Sequence, residues 1–264
     1  MKNTCIILVN FNCGNQILSC LGLLIKEEVK IIVIDNASTD GSLERIIERF
    51  SSSVIVLKNS VNKGFAVAAN IGIRRALRLH FKNIILLNPD TNFKEGFSKR
   101  LIQNPADIVS PVIKYIFNGK AVYDLGGRVN YILGRTKHKR FRSIFKPQVI
   151  DYVSGCCMKI KSKVFFKIGF LDEKFFLYWE DVDFCIRARR ANLTIDIELG
   201  VVIFHKLKYI VDKPWNSVYY LLKGNLRFIN KYIVWKNRIF AYSYLLFLLF
   251  KITYNKLLCS LGLY

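Results

Sequence analysis

Acidic residues are scarce in this sequence. There are 19 Asp and Glu against 41 Lys and Arg, which gives a formal net charge of +22 at pH 7. This excess of positive charge predicts attraction to an anionic partner, whether nucleic acid, a phosphorylated metabolite or an anionic membrane surface. Disorder is excluded, because 52% of the residues are hydrophobic and 14% are aromatic.

The seven cysteines lack the spacing of a metal site or a redox motif. They form no C-x-x-C pair, their number is odd and most lie inside apolar runs. We therefore expect buried, reduced thiols in a reducing compartment. A chain of 264 residues is long enough for one large domain or two modest ones, each with its own core.

Two phosphate-binding motifs are also missing. No G-x-G-x-x-G turn follows the first strand-like run, which argues against a dinucleotide-binding dehydrogenase. The turn found there, NFNCGNQ, has one glycine and no basic residue. Nucleotidyltransferases usually bring a Gly-rich loop with Lys or Arg to this place, so a nucleotidyltransferase is only the competing enzyme hypothesis.

The C-terminal region has no apolar run of the usual membrane-spanning length. Residues 239–250 are uncharged and lie between Arg238 and Lys251, but a spanning helix needs about 20 apolar residues. This pattern favours a helix that lies in the membrane interface, with a tilted span over 239–263 as the alternative. Residues 206–264 contain ten Lys and Arg and one acid, Asp212.

The first hundred residues alternate between β-rich runs and segments with helical spacing. This alternation predicts a parallel sheet with covered faces. In such sheets ligands bind beyond the carboxyl ends of the strands, and here Asn or Asp stands at or just after each predicted strand end. The predicted strands are 5–10, 30–35, 54–58 and 83–87, and the predicted helices are 16–26, 43–50, 65–79 and 94–103.

Residues 105–205 predict a more mixed arrangement. Residues 118–127 read as a Gly-containing connection, and the run 134–146 carries six Lys and Arg with no acid, which predicts a solvated, mobile loop. Such a loop is able to close over a diphosphate or to dock on anionic lipid. Strands are predicted at 106–113, 129–133, 153–160, 193–198 and 201–204, and helices at 162–167, 180–191 and beyond His205.

Asp35 stands at the end of the second predicted strand. A carboxylate in this position is placed to bind the imide N–H of a pyrimidine or a ribose hydroxyl. The same polar residues are also explained without a ligand, by an Asx-turn that leads into a helix N-cap with Asp40 or Ser42 as the capping residue.

Two further motifs contain ligand types suited to a metal ion. Asn88 and Asp90 follow a buried strand and are able to share a divalent cation that also binds a diphosphate, although an ordinary Asn-Pro-Asp turn explains this motif equally well. His205 ends the apolar run GVVIFH. It is either a structural histidine or an additional metal ligand through its neutral imidazole.

The segment FFLYWEDVDF, residues 175–184, places three acids next to an aromatic wall. If a helix begins near Glu180, all three acids lie in its first turns, where the helix dipole favours negative charge. Asp183 is then able to pair with Arg187 on the surface. A carboxylate beside apolar side chains tends to have a raised pKa and to be a better base near neutral pH.

In this order, the motifs resemble the inverting family 2 glycosyltransferases of the GT-A fold, and especially their bacterial rhamnosyltransferase-like branch. They spread over residues 6 to 205 in the family's order. The resemblance implies an α/β fold, with a Rossmann-like nucleotide-binding half (1–104), a mixed acceptor half (105–205) and a basic helical tail (206–264). The matching stretches are ILVNFN, IIVIDNASTDGS, NKGFAVAANIGI, ILLNPDT, VSGCCMKIKSKVFFKIGFLDEKFFLYWEDVDFCIRAR and IFH.

The resemblance also implies roles for individual residues. Asp181 looks like the general base, Asp90 and His205 look like metal ligands, and Trp179 and Glu180 are expected to contact the acceptor. Asn88 stands where many family members have Asp, and a neutral amide binds a cation more weakly. The residues expected to bind the donor are Asn10, Asn12, Asp35, Asn36, Asn88 and Asp90.

The implied reaction moves a sugar from a nucleoside-diphosphate sugar, with dTDP-rhamnose and UDP-hexoses as the candidate donors, to a saccharide acceptor. The implied cofactor is Mg²⁺ or Mn²⁺. The basic tail and the family predict a lipid-linked acceptor and a peripheral position on an anionic membrane, at the cytoplasmic face of a bacterial cell, in O-antigen or capsule synthesis.

A basic nucleic-acid-binding protein without enzymatic activity is the alternative from a different class. The sequence has no RNP, zinc-finger or helix-turn-helix signature to support it. We therefore expect no nucleic-acid partner.

Overall fold

The computed structural model describes residues 3–117, 119–147, 149–206 and 213–260. Its strands form one twisted mixed sheet, in the order β3-β2-β1-β4-β9-β6-β10-β5, and a β7–β8 hairpin extends from β6. The strands are β1 (Thr4–Asn10), β2 (Lys30–Asp35), β3 (Val54–Lys58), β4 (Asn83–Leu87), β5 (Thr91–Phe93), β6 (Ile108–Phe117), β7 (Lys120–Asn130), β8 (Arg135–Phe141), β9 (Cys157–Lys161) and β10 (Ile195–His205).

Helices cover the sheet and continue beyond it. They are α1 (Gly14–Leu24), α2 (Ser42–Phe50), α3 (Phe65–Arg78), α4 (Phe97–Gln103), α5 (Ser162–Ile168), α6 (Glu180–Arg190), α7 (Trp215–Tyr232) and α8 (Arg238–Ser260), with a short 3₁₀ turn at Trp235–Asn237 before α8. The predicted helices and parallel strands of the first hundred residues are present, with ends shifted by up to three residues.

The nucleotide-binding half has the predicted parallel sheet. β1 pairs in parallel with β2 and β4, and β2 pairs in parallel with β3. The apolar residues of β1 and β2 are buried on both faces of the sheet, so the strands read as continuous hydrophobic runs. Their carboxyl ends, at Asn10 and Asp35, lie side by side in register.

The second half differs from the sequence prediction in two places. Residues 120–127 of the predicted connection and residues 135–141 of the predicted mobile loop instead form most of the antiparallel β7–β8 hairpin, and residue 118 lies outside the described residues. Gly126 has a φ of +80° and lies within an irregularity of the pairing, and Gly127 leaves room for the ring of Tyr152, so these glycines mark a bulge and a close contact rather than a strand end. β8 is an edge strand, a position that tolerates its many basic side chains.

The two strands predicted at 193–198 and 201–204 are one strand, β10. It pairs in parallel with β6, and the register shifts between Glu198 and Val202 around Gly200. The bulge explains why the sequence pattern looked interrupted there.

Helix α7 is part of the main core rather than an appended tail. Phe228, Ile229 and Tyr232 are buried in the same hydrophobic cluster as Trp179, the residue before α6. The boundary proposed at residue 205 therefore does not separate two packing units at α7. Residues 207–212 and 261–264 of the predicted tail lie outside the described residues.

Helix α8 packs by a narrow face and exposes the rest. Ala241 and Ile252 are buried, whereas Ile239, Leu246 and Phe250 are each more than 60% exposed. Among the residues that the structure describes, no helix is both long enough and apolar enough to cross a membrane.

Candidate active site

The ends of β1 and β2 form one polar cluster. The Nδ2 group of Asn10 donates to the Asp35 carboxylate (2.8 Å), to Ser38 Oγ (3.1 Å) and to Ser42 Oγ (2.8 Å). The second oxygen of Asp35 accepts a hydrogen bond from the backbone N–H of Ser38 (3.1 Å). Asn10 and Asp35 are both buried. Asn10 therefore fixes the orientation of the Asp35 carboxylate, which is predicted to bind the donor.

Asn36 joins the β2 end to the loop after β3. Its amide nitrogen donates to Asn62 Oδ1 (2.7 Å), and its amide oxygen accepts from Asn59 Nδ2 (3.0 Å) and from the Lys63 N–H (3.1 Å). Asn36 thus shapes this loop from a buried position. Asn59 and Asn62 had no assigned role in the sequence; their position after a strand end was the available signal.

Asn12 and Asp40 join the two loops at the rim of the cluster. The Asn12 side chain accepts a hydrogen bond from the Thr39 N–H (2.8 Å), and its left-handed backbone (φ +53°) turns the chain into α1. Asp40 accepts from the N–H groups of Gly14 (2.7 Å) and Ser42 (3.0 Å). The N-cap of α2 is Gly41, not Asp40 or Ser42 as the capping alternative expected.

The Asn-Pro-Asp motif and His205 come together at the other side of the β1 end. His205 Nε2 lies 3.2 Å from Asp90 Oδ2, because Thr91 of β5 pairs with His205 of β10. The negative charges of Asp90, Asp40 and Asp35 all act on the thiol of Cys13, and with burial, the larger cause, they raise its pKa. The three carboxylates therefore lie close enough to Cys13, at this edge of the sheet, to influence its thiol.

The region around Asp90 and His205 has side chains of the types that bind a divalent cation, but it offers few of them. Asp90 offers carboxylate oxygens and His205 an imidazole nitrogen, which suit Mg²⁺ or Mn²⁺ that takes its other ligands from a diphosphate and water. Nδ1 of His205 is buried without a hydrogen-bond partner among the described residues. Within those residues there is no group of three or more His, Cys, Asp or Glu side chains able to hold a metal ion.

Helix α6 begins directly after two strained residues. Tyr178 and Trp179 both have left-handed backbones, with φ of +68° and +73°, a conformation that is rare for bulky residues and that persists where the surroundings enforce it. Here α7 enforces it: Trp179 Nε1 donates to the carbonyl of Leu221 (3.1 Å), and the indole packs on Phe228 with ring centres 4.8 Å apart. Trp179 is 8% exposed, so packing against α7 uses most of its surface. Its acceptor-binding role stays a prediction.

Asp181 is fixed at the start of α6 by backbone donors. Its Oδ2 accepts from the Gly155 N–H and its Oδ1 from its neighbour Val182, both at 2.8 Å. Burial raises its pKa, while these hydrogen bonds and the charge of His138 act in the opposite direction. Asp181 is thus a carboxylate with a raised pKa, which is the property expected of a general base near neutral pH.

Residues 155 and 156 connect the candidate base to the Asn-Pro-Asp motif. The N–H of Gly155 donates to Asp181, and the carbonyl of the next residue, Cys156, accepts from the N–H of Asn88 (2.8 Å). Gly155 also has no side chain to displace the carboxylate, since a Cβ there would lie 3.2 Å from Asp181 Cβ. Two motifs that are about 90 residues apart in the chain are therefore hydrogen-bonded to the backbone of the same two consecutive residues, 155 and 156.

Glu180 and Asp183, the other two acids of the segment 175–184, have environments that differ from that of Asp181. Glu180 is buried, its Oε2 has no hydrogen-bond partner among the described residues, and burial followed by the charge of Asp181 raises its pKa well above the usual range. Asp183 pairs with Arg187 as predicted (2.8 Å), but it is fully buried rather than on the surface, and it also accepts from Lys231 (2.5 Å) and Tyr232 (2.6 Å) of α7.

The structure adds an ion pair that the sequence did not predict. His138 Nδ1 of β8 lies 2.7 Å from the buried carboxylate of Asp124 in β7. Asp124 also accepts hydrogen bonds from the Tyr115 hydroxyl (3.2 Å) and the Gly126 N–H (3.0 Å). Both residues lie in segments that were read as a connection and a loop, so only the histidine within a basic run could have drawn attention to them.

Comparison with known proteins gives one matching family. The model of Glycosyl transferase family 2 matches residues 5–168. A hexosyltransferase of low-salt glycan biosynthesis from Haloferax volcanii is 29% identical over 206 residues, covering 72% of this chain and 62% of that protein. An N-acetylglucosaminyl-diphospho-decaprenol L-rhamnosyltransferase from Mycobacterium tuberculosis is 24% identical and covers 72% of this chain and 71% of that protein.

A rhamnosyltransferase from Escherichia coli, WbbL, is 25% identical over 200 residues and covers 69% of this chain and 74% of that protein. Among solved structures, GalNAc-T7 with UDP, GalNAc and Mn²⁺ superimposes with a TM-score of 0.68 at 17% identity, over 86% of this chain and 47% of that one. A mannosyltransferase from Pyrobaculum calidifontis with GDP-Man and Mn²⁺ gives a TM-score of 0.60 at 14% identity, over 92% of this chain and 69% of that one.

Proposed function

The chain belongs to glycosyl transferase family 2, and from this premise we propose that it is an inverting glycosyltransferase with a nucleoside-diphosphate sugar as donor and a saccharide as acceptor. The predicted family and the predicted GT-A fold are confirmed. The observation that supports the proposal is that two consecutive residues contact both motifs: the N–H of Gly155 donates to the Asp181 carboxylate, and the carbonyl of Cys156 accepts from the N–H of Asn88.

In the proposed reaction Asp181 accepts the proton of an acceptor hydroxyl. The hydroxyl oxygen forms a bond to the anomeric carbon of the donor sugar, and the bond from that carbon to the diphosphate oxygen breaks. One displacement inverts the configuration, and the electron pair of the broken bond leaves with the nucleoside diphosphate. The raised pKa of Asp181, caused first by burial, matches a base that must accept a proton near neutral pH.

Asp35, oriented by Asn10, is proposed to bind the base or ribose of the donor. Asp90 and His205 would hold a divalent cation, which when bound supplies positive charge for the departing diphosphate. The similarity to rhamnosyltransferases and to a hexosyltransferase supports dTDP-rhamnose or a UDP-hexose as the donor.

The test is a panel of nucleotide sugars, with and without Mn²⁺, with wild-type protein and with Asp181→Asn. We expect transfer or slow hydrolysis of one donor by the wild type and loss of transfer with retained donor binding in the variant. Asp196→Asn is the matched control, because that carboxylate pairs with the exposed Lys146 at 3.3 Å and lies at the opposite end of β10 from His205. Wild-type turnover in Asp181→Asn would remove Asp181 from the role of base.

We further propose that the acceptor is lipid-linked and that the enzyme works at an anionic membrane surface, on the cytoplasmic face, in cell-surface polysaccharide synthesis. The mycobacterial relative is named for a diphospho-decaprenol acceptor, which supports a lipid-linked substrate. The exposed face of α8 supports the membrane, because it is a contiguous apolar surface and such surfaces mark interaction sites. Its large apolar side chains are Ile239, Phe240, Leu246, Phe247, Leu249, Phe250, Tyr254 and Leu257.

Co-sedimentation with vesicles tests this surface. Removing residues from 232 onwards would also remove the buried Tyr232 and Ala241, so substitutions are the better perturbation. We expect Leu246→Ser with Phe250→Ser to reduce binding to anionic vesicles, and Phe166→Ser, at an equally exposed phenylalanine of α5, to leave it unchanged. Equal binding by all variants, or binding to duplex DNA in preference to vesicles, would contradict the assignment.

A further inference from the structure

A basic cleft lies along the second half of α7, and none of its lining residues belongs to the candidate active site. Its volume is about 420 Å³, within the range of about 300–1,000 Å³ that is typical of small-molecule sites. Of the described residues that line it, four are basic and none is acidic, so the lining attracts an anion. The lining residues are Lys174, Lys223, Leu226, Arg227, Asn230 and Lys231.

The four basic side chains of the cleft come from two separate parts of the chain. Lys223, Arg227 and Lys231 follow one another at intervals of four residues, so they lie on one face of α7. The helix dipole alone favours a cation in the last turn of a helix, which accounts for Lys231. It does not account for Lys174, which comes from the segment between α5 and α6 and lines the same cleft. Cations from two elements therefore converge on one cavity, as a binding site for an anion requires.

Two of these cations are held in place by the protein. Asp172 accepts hydrogen bonds from Nη2 of Arg227 (3.1 Å) and from Nζ of Lys231 (2.8 Å), and Lys231 also contacts the buried Asp183 at 2.5 Å. The buried ring of Phe175 packs against both cations, with its centre 5.3 Å from the guanidinium carbon of Arg227 and 5.9 Å from Nζ of Lys231. The positions of Arg227 and Lys231 are therefore fixed before any ligand binds.

The other two cations carry the excess positive charge of the cleft. Asp172 and Asp183 offset the charges of Arg227 and Lys231, whereas Lys174 and Lys223 are exposed lysines. An anion in the cleft would thus meet two exposed ammonium groups beside a fixed pair of cations. Phosphate oxygens suit such a site, because they accept strong charge-assisted hydrogen bonds from lysine and arginine.

Exposed apolar side chains adjoin the basic cleft. Leu226 lines it and is exposed, and Val234 and Trp235 follow two and three residues after the end of α7, with Trp235 83% exposed. Asn230, which also lines the cleft, accepts a hydrogen bond from the hydroxyl of Tyr242 in α8 (2.6 Å), so the cleft borders the helix with the exposed apolar face. Tryptophan is enriched at the membrane–water interface. A free phosphate has no apolar part to contact these side chains, whereas a phospholipid has acyl chains next to its phosphate.

We propose that the basic cleft binds the phosphate of an anionic phospholipid headgroup, with the acyl chains of that lipid on the side of Trp235. This inference deepens the proposed position at an anionic membrane and rests on it. The apolar face of α8 supplies area that any membrane would bury, and the cleft supplies the preference for an anionic lipid. Sugar transfer is not needed for either contact.

The first test is the partition of the full chain onto vesicles of phosphatidylglycerol and phosphatidylcholine. Lys174→Gln with Lys223→Gln, the cleft variant, removes the excess charge and leaves the ion pairs of Asp172 in place. A basic residue near an anionic surface contributes about fivefold to partition, so we expect the cleft variant to bind about 25-fold more weakly. Lys26→Gln with Lys99→Gln is the matched control, because it removes the same charge from exposed residues. These lie just after α1 and in α4, which pack on the other face of the sheet from α7, so the control should bind like the wild type.

Further arms of the experiment identify the ligand. On vesicles of phosphatidylcholine alone the cleft variant should bind as the wild type does, and Trp235→Ser should weaken binding to both kinds of vesicle. Inorganic phosphate, titrated by calorimetry without lipid, tests a soluble source. Duplex DNA tests a nucleic-acid phosphate.

Wild-type binding to anionic vesicles by the cleft variant, shown to be folded by circular dichroism, overturns the inference, and so does an equal loss in the control. Phosphate binding that the cleft variant loses while its vesicle binding is unchanged would assign the cleft to a soluble phosphate, and a larger loss on DNA than on vesicles would assign it to nucleic acid. Each of these results also overturns the inference. Cleft-dependent vesicle binding by a protein that transfers no sugar would keep the inference and refute the proposed glycosyltransferase activity. Sugar transfer by a protein whose vesicle binding ignores the cleft would keep that activity and refute the inference.

Discussion

Gly224 of α7 is predicted to control the position of the candidate base through Trp179. A Cβ at Gly224 would lie 2.7 Å from Cδ1 and 3.3 Å from Cγ of the indole, whereas carbon atoms in contact lie about 3.5–4.0 Å apart. Gly224→Ala must therefore displace the indole by up to about 1 Å. The indole is also held to α7 by the carbonyl of Leu221, three residues before Gly224, and by the ring of Phe228, four residues after it, so it cannot move freely.

The expected stability change is the sum of two opposing effects. Alanine in a helix interior is favoured over glycine by about 1 kcal/mol, and overpacking costs about 1–3 kcal/mol. The net result for Gly224→Ala is between no change and a loss of about 2 kcal/mol. Gly22→Ala in α1 is the control, because no atom lies within 4 Å of the added Cβ, and it should gain up to about 1 kcal/mol.

Urea unfolding of both variants isolates the steric cost as the difference between them. Sugar transfer provides the second measurement, since Trp179 immediately precedes Glu180 and Asp181, and a displacement of about 1 Å at a catalytic group can cost about 100-fold in rate. We expect kcat to fall by about 10–100-fold in Gly224→Ala and to stay at the wild-type value in Gly22→Ala. A Gly224→Ala protein as stable as Gly22→Ala, with unchanged kcat, would refute the reasoning.

Three further predictions concern ions. Asp183→Asn should lower the free energy of unfolding by up to about 3–5 kcal/mol, because it removes the charge of a fully buried carboxylate that pairs with the partly buried Arg187 and Lys231; a loss below about 1 kcal/mol in urea unfolding would contradict this. Burial raises the pKa of Asp172, but hydrogen bonds from α7 outweigh it and lower the pKa to about 2, so its stabilising contribution is present above pH 3.8 and is lost as the pH falls through 2. Asp172→Asn should therefore remove that part of the acid dependence, as followed by circular dichroism between pH 5 and 2, and an identical pH dependence would speak against it. Chelation of divalent cations should abolish transfer and Mn²⁺ should restore it, with His205→Ala needing more Mn²⁺ than the wild type; equal Mn²⁺ requirements would exclude His205 as a ligand.

The sequence was sufficient to predict the fold where strands are buried on both faces of the sheet. Continuous apolar runs with Asn or Asp at their ends predicted β1, β2 and β4, and with them the edge where Asp35 and Asp90 lie. The predicted proximity of Asp90 and His205 is also seen, as a contact of 3.2 Å. The donor and metal roles of these residues stay predictions, because nothing bound to the site tests them.

The sequence was insufficient to predict the structure where contacts between distant segments decide the local conformation. The run 134–146 has the composition of a solvated loop, but pairing with β7 makes most of it a strand, and this pairing creates the contact between His138 and Asp124. Likewise, the aromatic wall before Glu180 predicted an acceptor platform. The left-handed backbone of Trp179 turns the indole onto α7, and no local sequence signal encodes that turn.

The distribution of the seven thiols gives the protein a natural attachment point for a probe. Cys259, near the end of α8, is exposed, whereas Cys13 is half-buried and the other five are buried. Burial raises the pKa of Cys5, Cys20 and Cys185 to about 12, so these thiols are almost entirely protonated and react slowly with maleimides near neutral pH. An environment-sensitive dye should therefore attach at Cys259 without mutagenesis, and its emission would report the arrival of α8 at a lipid surface in real time.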